Sequence, residues 1–535
     1  MTSLSYAHGT SAEPLLGETI GERLRRTARE LGDRDALVDV PSGTRWTYRE
    51  LDDRVDQLAR ALLGLGVSKG DRVGIWARNR PEWVLVHYAT ARIGAILVTI
   101  NPAYRTDELR YVLRQAGVGV LITTEEYRTM VQAAGHDTTV FVGTDWADLI
   151  DRAAPAEALA AREGELSCDD PIIIQYTSGT TGFPKGATLS HHNVLNNGHF
   201  VAGRQAWSAA DRVCVPVPFY HCFGSVVGTL AAMTHGACMV IPAPSFDARA
   251  TLEAIELERC TALYGVPTMF IAELAEPSFG DFDLSSLRTG VMAGSPCPVE
   301  VMKRVVAEMG MAEVTICYGM TETSPVSTQS RPEDDLERRV ATVGTPLPHV
   351  EVKIGDPATG LTVPRGEPGE FCTRGYSVML GYWDMPERTA EAVDAARWMH
   401  TGDLAVMDSA GYVNIVGRIK DVVIRGGENI YPTEVEEFLH THPDILDVQV
   451  IGVPDERYGE QVMAWVIPRA GVEAPTAAAL RDFCAGRLAS YKVPRFVKVV
   501  DAFPLTVTGK IRKVEMRERS IRELGLDKVA ATRTA

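Results

Sequence analysis

Apolar residues in this chain recur with two different periods, and the two alternate along it. Thr47-Tyr48-Arg49-Glu50 has the residues of a capping box, in which the Thr hydroxyl and the Glu carboxylate satisfy free N–H groups at a helix start. Leu51, Val55, Leu58 and Leu62 then repeat at helical spacing. Gly66 is placed to close that helix, and DRVGIW follows as a strand. The unit recurs as a helix near 83–93 before AILVTI, and as a helix near 252–258 before TALYGV. Such alternation predicts an α/β fold of parallel sheets covered by helices. It is not a fixed-period array, and no low-complexity segment interrupts it.

A chain of 535 residues has room for about three or four domain-sized units. The best boundary lies at 418–421. Before it, DLAVMD, SAG and YVNIVGR read as a β-hairpin with a Gly-containing turn; after it, the strand–helix pattern restarts. Thr433 to Glu436 reads as another capping box, opening EVEEFLHTH, and VQVIGV and VMAWVI read as strands. The expectation is a large N-terminal domain (1–417), a hinge (418–421) and a small C-terminal α/β module (422–535). Charge is split in the same way. Residues 418–535 hold 18 Lys/Arg against 17 Asp/Glu, whereas the rest hold 36 against 53. Within 485–519, nine residues are basic and three acidic. A basic face on an acidic body suits a polyanionic small molecule, although on charge alone chance clustering on a solvated surface is the better account.

The net charge of −16 argues against general binding to nucleic acid or an anionic membrane. Nine cysteines, an odd and scattered set without a Cys-x-x-Cys pair, argue against a disulfide frame or a zinc site and predict a reducing, cytoplasmic setting. The first thirty residues lack a basic start followed by an apolar run, so no secretory signal is expected. The longest nearly uncharged window, 224–244, carries three Gly, a His and several hydroxyls. It reads as a buried helix, a Gly turn and the strand ACMVIP; a membrane span is the weaker reading.

The stretch TSGTTGFPKG, 177–186, follows the apolar run PIIIQY. Thr177, Ser178, Gly179, Thr180, Thr181 and Gly182 are all small and polar or Gly. Backbone N–H groups of such a turn can converge on phosphate oxygens, hydroxyls add donors, and Lys185 adds a point charge. The spacing is not that of a Walker A loop: Gly179 and Gly182 are three apart, and no Ser or Thr follows Lys185. Judged alone, a flexible linker fits this stretch as well as a phosphate loop does.

Four further motifs change that balance. YGMTE stands at 318–322, TGD at 401–403, GRIKDVVIRGGENIYP at 417–432 and PLTVTGK at 504–510. With 177–186, in this order and at these distances, they resemble the adenylate-forming superfamily of acyl-CoA synthetases, firefly luciferases and peptide-synthetase adenylation domains. The resemblance runs through nearly the whole chain. PFYHCFGSVVGT, MAGSPCP and RGYSVMLGYW add a closer likeness to medium-chain fatty acyl-CoA ligases. This implies a large N-terminal domain of helix-covered sheets with a β-rich subdomain, and a small mobile C-terminal domain. It also implies two steps, with ATP, Mg²⁺ and coenzyme A as cofactors. A carboxylate attacks the α-phosphate of ATP to give acyl-AMP and pyrophosphate, and the coenzyme A thiol then displaces AMP.

The chemistry needs the residue types that the motifs supply. Anion attacks anion, so cations must sit where charge accumulates. By resemblance, Lys510 bridges the acyl carboxylate and the α-phosphate. Losing one such contact costs on the order of 10²–10³ in rate, roughly 3–4 kcal/mol. Glu322 fits a Mg²⁺ ligand, and Thr321 a hydroxyl donor to the α-phosphate. Tyr318 and Gly319, with Gly294, Ser295 and Pro296, resemble the family's adenine-bordering residues. Asp403 can accept from both ribose hydroxyls, and in the resemblance Arg418 could hold the nucleotide from the hinge side. Lys420 takes the hinge position. By resemblance, Arg425, Gly426, Gly427 and Glu428 would line the pantetheine route, where adjacent glycines permit a narrow tunnel.

His221 occupies the family's place over the acyl carboxylate, as a gate, a hydrogen-bond donor or a packed core residue. A carboxylate nucleophile needs no base at neutral pH. The candidate acyl wall is Phe219, Phe223, Val227, Tyr264, Val266 and Met320, mostly apolar. No Asp stands between 218 and 229 to pair with an α-ammonium, so amino-acid substrates are disfavoured. A linear medium-chain fatty acid fits best and an aryl acid is its main competitor. A carrier protein in place of coenzyme A is a second reading, and oligomeric state is not encoded in any motif.

Overall fold

The computed structural model of the protein describes residues 3–177, 184–295, 297–426, 428–505, 511–527 and 529. The first expected unit forms as written. Thr47 caps the helix Tyr48–Gly64: its side chain accepts from the Glu50 N–H while the Glu50 side chain accepts from the Thr47 N–H. Leu51, Val55, Leu58 and Leu62 are fully buried. Gly66, at φ +92°, turns the chain into the strand Arg72–Trp76. The other expected pairs are Pro81–Arg92 with Ile96–Thr99, and Ala248–Glu258 with Ala262–Gly265.

Among the described residues the strands form four sheets. One has seven strands. Thr139–Val142, Val118–Thr124, Arg72–Trp76, Ile96–Thr99 and Pro171–Thr177 run parallel. Lys185–Ser190 and Gly381–Tyr382 then add in antiparallel fashion at one edge. A second sheet has nine strands, six of them parallel, with Glu313–Gly319 as the last parallel strand before Val326–Gln329 turns back. Both are covered by helices, and their shared core is the largest in the molecule. Their strands are buried on both faces, which explains why they read as apolar runs rather than as alternating ones.

The third sheet is antiparallel throughout, with strand order Tyr6–His8, Val350–Gly355, Gly369–Gly375, Met399–Met407 and Val413–Arg418. It contains the expected hairpin and is the β-rich subdomain. The fourth sheet uses only residues from Val423 onward, built on the long hairpin Ile445–Asp455 and Gly459–Pro468. The short 3₁₀ turn Ile419–Asp421 lies between the third sheet and the fourth.

The uncharged window 224–244 is a buried helix, a glycine turn and a strand, as expected, with one difference. Its first segment, Phe223–Leu230, is π-helical, and Ala231–His235 continues it as α-helix before Cys238–Ile241. No helix among the described residues is long and apolar enough to cross a membrane.

The capping box expected at 433–436 does not form. The helix Pro432–His440 begins with Pro432 in its first turn, and its cap residue Tyr431 makes no side-chain cap bond. Proline has no N–H to satisfy, so less capping is needed at this end. Glu436 instead turns inward. Its buried carboxylate accepts from the Val450 N–H at 2.7 Å and from Lys513 Nζ at 2.6 Å. The consequence is testable by chemical denaturation. Glu436→Ala strands a buried amide and an ammonium and is expected to cost about 1–3 kcal/mol, whereas Thr433→Ala should stay within about 0.5 kcal/mol of the parent.

Candidate active site

The strand Glu313–Gly319 delivers Tyr318 and Gly319 to its carboxyl end, and a single 3₁₀ turn, Thr321–Thr323, follows. A β-carbon on Gly319 would stand 1.7 Å from the Pro325 carbonyl oxygen, so only glycine admits this close return of the chain. Tyr318 is half-buried, meets Phe371 edge-on with centroids 4.8 Å apart, and donates from its hydroxyl to Asp403 Oδ2 at 2.6 Å. Burial, and then the Asp403 charge, push its phenol well above its ordinary pKa.

Asp403 lies within the strand Met399–Met407, directly across from Arg418 in register. Arg418 Nε is 3.1 Å from Asp403 Oδ1. Both carboxylate oxygens are thus engaged, one by a phenol and one by a guanidinium. The strand is fixed behind them. The Gly402 N–H donates to Glu370 Oε1 at 3.0 Å, and His400 Nδ1 lies 2.8 Å from Glu370 Oε2 and 3.6 Å from Cys372 Sγ. Glu370, Cys372 and His400 are also the one group of acid, thiol and imidazole side chains, among the described residues, compact enough to hold a metal ion. Glu322, the residue expected to bind Mg²⁺, is not part of that group.

Glu322 is buried, and Tyr382 donates to its Oε1 at 2.8 Å. The same phenol oxygen accepts from Lys185 Nζ at 3.1 Å, with the ammonium 4.1 Å from the ring centroid. Burial holds the Lys185 pKa below its ordinary value, opposed by the charge of Glu322. Tyr382 was not among the expected site residues. It belongs to RGYSVMLGYW, where an aromatic in an apolar run gives no sign of a polar task; only its pairing with the strand Lys185–Ser190 brings it to the site. Thr321 is buried, with its hydroxyl 3.8 Å from Cys222 Sγ.

Thr177 and Lys185 face each other across the antiparallel pair that carries the 177–186 stretch. The stretch therefore joins strand to strand, not strand to helix. Ser178, Gly179, Thr180, Thr181 and Gly182 lie outside the described residues, as do Pro296, Gly427 and Lys510. The described flanks of the last segment are closely paired: Leu505 bridges Ile511, and the Arg512 N–H donates to the Pro504 carbonyl at 2.8 Å. Gly294 takes φ +95°, a conformation that excludes most side chains, and Ser295 beside it is exposed.

The chain carrying this site is similar to known proteins. The family described as AMP-binding enzyme matches residues 24–383, and the AMP-binding enzyme C-terminal domain matches 434–510. The chain belongs to the AMP-binding enzyme family. It is 46% identical over 544 residues to the YngI protein of Bacillus subtilis (strain 168), covering 96% of this chain and 99% of that one. It is 44% identical over 555 residues to the mitochondrial medium-chain acyl-CoA ligase ACSF2 of Danio rerio, covering 98% and 91%. Its fold matches ATP-bound MatB from Rhodopseudomonas palustris with a TM-score of 0.85 at 31% identity, over 94% of this chain and 99% of that one.

In this AMP-binding enzyme the residues expected to form the acyl wall all belong to, or pack against, one apolar cluster. Phe219, Phe223, Val227 and Tyr264 are buried in the main core, and Val266 and Met320 pack against it. Tyr264 stacks on Trp207 at 5.5 Å and its hydroxyl accepts from Gln205 Nε2 at 2.9 Å. His221 is half-buried, and its Nδ1 accepts from the Phe223 N–H at 3.2 Å. That bond puts the ring proton on Nε2.

The structure does not bring the expected pantetheine residues to the Tyr318–Asp403 cluster. Arg425 donates from Nε to Gln461 Oε1 at 2.8 Å and lies over the Tyr458 ring at 4.5 Å. The Gly426 N–H donates to the Tyr458 carbonyl at 2.7 Å, and Glu428 is exposed. Lys420 is exposed within the turn Ile419–Asp421.

The cluster behind Asp403 sets a pH dependence. Hydrogen bonding to Cys372 and then to Glu370 pushes the His400 imidazole up from 6.5 to about 10. A raised folded-state pKa stabilises fully below the unfolded value of 6.5 and ceases to do so as pH rises through about 10. The stability margin of the parent over His400→Gln should therefore shrink between these values. We expect a loss of about 1–2 kcal/mol, read by denaturant titration at stepped pH.

Proposed function

We propose that this protein is an ATP-dependent, AMP-forming acyl-CoA ligase acting on a medium-chain fatty acid. One observation carries the reading beyond family membership. Tyr382 joins Lys185, at the end of the 177–186 hairpin, to Glu322 of YGMTE, so that a half-buried cation and a buried carboxylate share one site. That is the charge pattern a metal–triphosphate complex requires. The likeness to the Danio rerio ACSF2 ligase and the apolar wall around Phe223 and Tyr264 support the choice of acid.

In this reading the acid enters as its carboxylate, since no base is needed at neutral pH. Lys510 meets the acyl carboxylate and the α-phosphate, Thr321 donates to the same phosphate, and His221 offers Nε2–H toward the carboxylate. Asp403, oriented by Tyr318 and Arg418, accepts from the ribose hydroxyls. The 177–186 loop and Lys185 hold the β- and γ-phosphates, and Gly294, Ser295 and Pro296 edge the adenine. Glu322 fits a Mg²⁺ ligand. Tyr382 engages only Oε1, and among the described residues Oε2 makes no hydrogen bond. When bound, the ion supplies positive charge against the phosphates.

Lys510 belongs to the small module, so the site closes only when that module docks. We place the hinge at 418–421, where the third sheet gives way to the fourth, with Lys420 as its pivot. Rotation would then present Arg425, Gly426, Gly427 and Glu428 to coenzyme A. Nine cysteines, all free thiols, six of them buried, support a reducing cytoplasmic compartment.

The decisive assay supplies ATP and acids from C4 to C18, with aryl acids, with and without coenzyme A. We expect AMP and a thioester with coenzyme A, the highest turnover with medium chains, and only acyl-AMP and pyrophosphate without it. An aryl optimum would overturn the acid assignment; no pyrophosphate from any acid would overturn the activity. Lys510→Ala should lower adenylation at least about 10²-fold and largely spare thioester formation from supplied acyl-AMP. Equal loss of both half-reactions would remove Lys510 from its one-step role.

A further inference from the structure

We infer that the Tyr382 hydroxyl is a positioning group that keeps Lys185 and Glu322 from pairing with each other, so that each stays available to one part of the bound metal–nucleotide. The inference rests on the reading above, in which Glu322 faces the metal ion and Lys185 the terminal phosphates. The geometry is specific. Tyr382 is 5% exposed and Glu322 is 4% exposed. The phenol oxygen donates to Glu322 Oε1 at 2.8 Å and accepts from Lys185 Nζ at 3.1 Å, while the ammonium also rests on the ring. Among the described residues no ion pair joins Lys185 to any carboxylate.

A half-buried ammonium and a buried carboxylate so near each other attract, because solvent screens them only in part. Left to themselves they would form a direct ion pair, and each would lose its capacity for an external partner. The phenol stands between them. An ammonium can only donate, so the phenol oxygen accepts from Lys185 and turns its own proton toward Glu322, which fixes the order of donor and acceptor. Lys185 spends one of its three N–H donors on the phenol and keeps two. Glu322 gives up part of one oxygen and keeps the other. The short strand Gly381–Tyr382 is pinned to the phosphate hairpin, since the Trp383 N–H donates to the Gly186 carbonyl at 2.7 Å and the Leu380 N–H to that of Thr188 at 2.9 Å. The spacer therefore moves with Lys185 and maintains its distance from Glu322.

The test is calorimetric binding of ATP to the full-length protein, with and without Mg²⁺. Tyr382→Phe keeps the ring and removes one oxygen. It should weaken MgATP binding about 10- to 100-fold, the range for a hydrogen bond to a charged group. Because the loss acts through Glu322, adding Tyr382→Phe to Glu322→Gln should change Kd by less than about threefold. Lys185→Met in the Tyr382→Phe background should restore part of the preference for MgATP over metal-free ATP, since the cation that captures Glu322 is gone. That double variant also serves if Tyr382→Phe alone fails to fold, as judged by circular dichroism. Unchanged MgATP affinity in Tyr382→Phe, or losses that multiply with Glu322→Gln, would overturn the inference while leaving the Glu322 reading in place. A parent protein that binds ATP equally with and without Mg²⁺ would overturn both.

Discussion

Two carboxylates at this site, one buried and one half-buried, each take a hydrogen bond from a phenol, and the rest of the arrangement depends on those two bonds. Tyr318 holds Asp403, and Tyr382 holds Glu322. A carboxylate cannot leave water without a donor, and an arginine or lysine as sole donor would neutralise it. A phenol satisfies the oxygen while adding no charge. Each carboxylate is thereby oriented without a second charge, and in the proposed reading Asp403 would accept from ribose hydroxyls and Glu322 would meet a cation. The cations nearby are arranged to the same end. Arg418 meets Asp403 from the solvent side, and Lys185 reaches Glu322 only through Tyr382.

This chemistry is assembled by sheet topology. Parallel strands end at a common edge, and ligand sites of α/β folds collect there. In both large sheets the parallel run is then extended by antiparallel strands that fold back across this edge. Lys185–Ser190 and Gly381–Tyr382 do so in one, and Val326–Gln329 in the other. The returning strands bring Lys185 and Tyr382 from one sheet to the turn Thr321–Thr323 of the other. The antiparallel third sheet supplies Asp403 and Arg418 from adjacent strands. Three sheets thus each contribute one wall, and no single segment contains the site.

The parts that could be read from the sequence are those set by local physics. The capping box at Thr47, the buried heptad-like spacing of Leu51 to Leu62 and the all-apolar strands follow from neighbouring residues alone, and they appear as expected. Asp403 and Glu322 were named from motif order, and the structure gives each a phenol donor. Tyr382 was missed because its role comes from a cross-strand pairing, not from its neighbours, and a tyrosine between Gly and Trp looks like core. The box expected at 433–436 failed for the same reason in reverse. Local pattern favoured a cap, but the long-range bonds of Glu436 to Val450 and Lys513 prevailed. The π-helical segment Phe223–Leu230 left no trace in sequence periodicity either, since every residue in it is buried and no polar face marks the turn length.

The proposed hinge takes a definite shape from the Arg418–Asp403 pair. Arg418 is the last residue of its strand and is held in register opposite Asp403. Val423 is already committed to the fourth sheet, opposite Ile430. A rotation of the small module must then be absorbed between these two anchors, in the turn Ile419–Asp421 and Val422. Lys420 is exposed there, so its side chain can stay in water while backbone angles change. Arg418 would stay behind with the large domain, which makes it a contact for the nucleotide in both arrangements, whereas Lys510 would be present in only one. The ribose end of the site would thus be permanent and the acyl-transfer end temporary, which is the order that a two-step reaction through a retained adenylate requires.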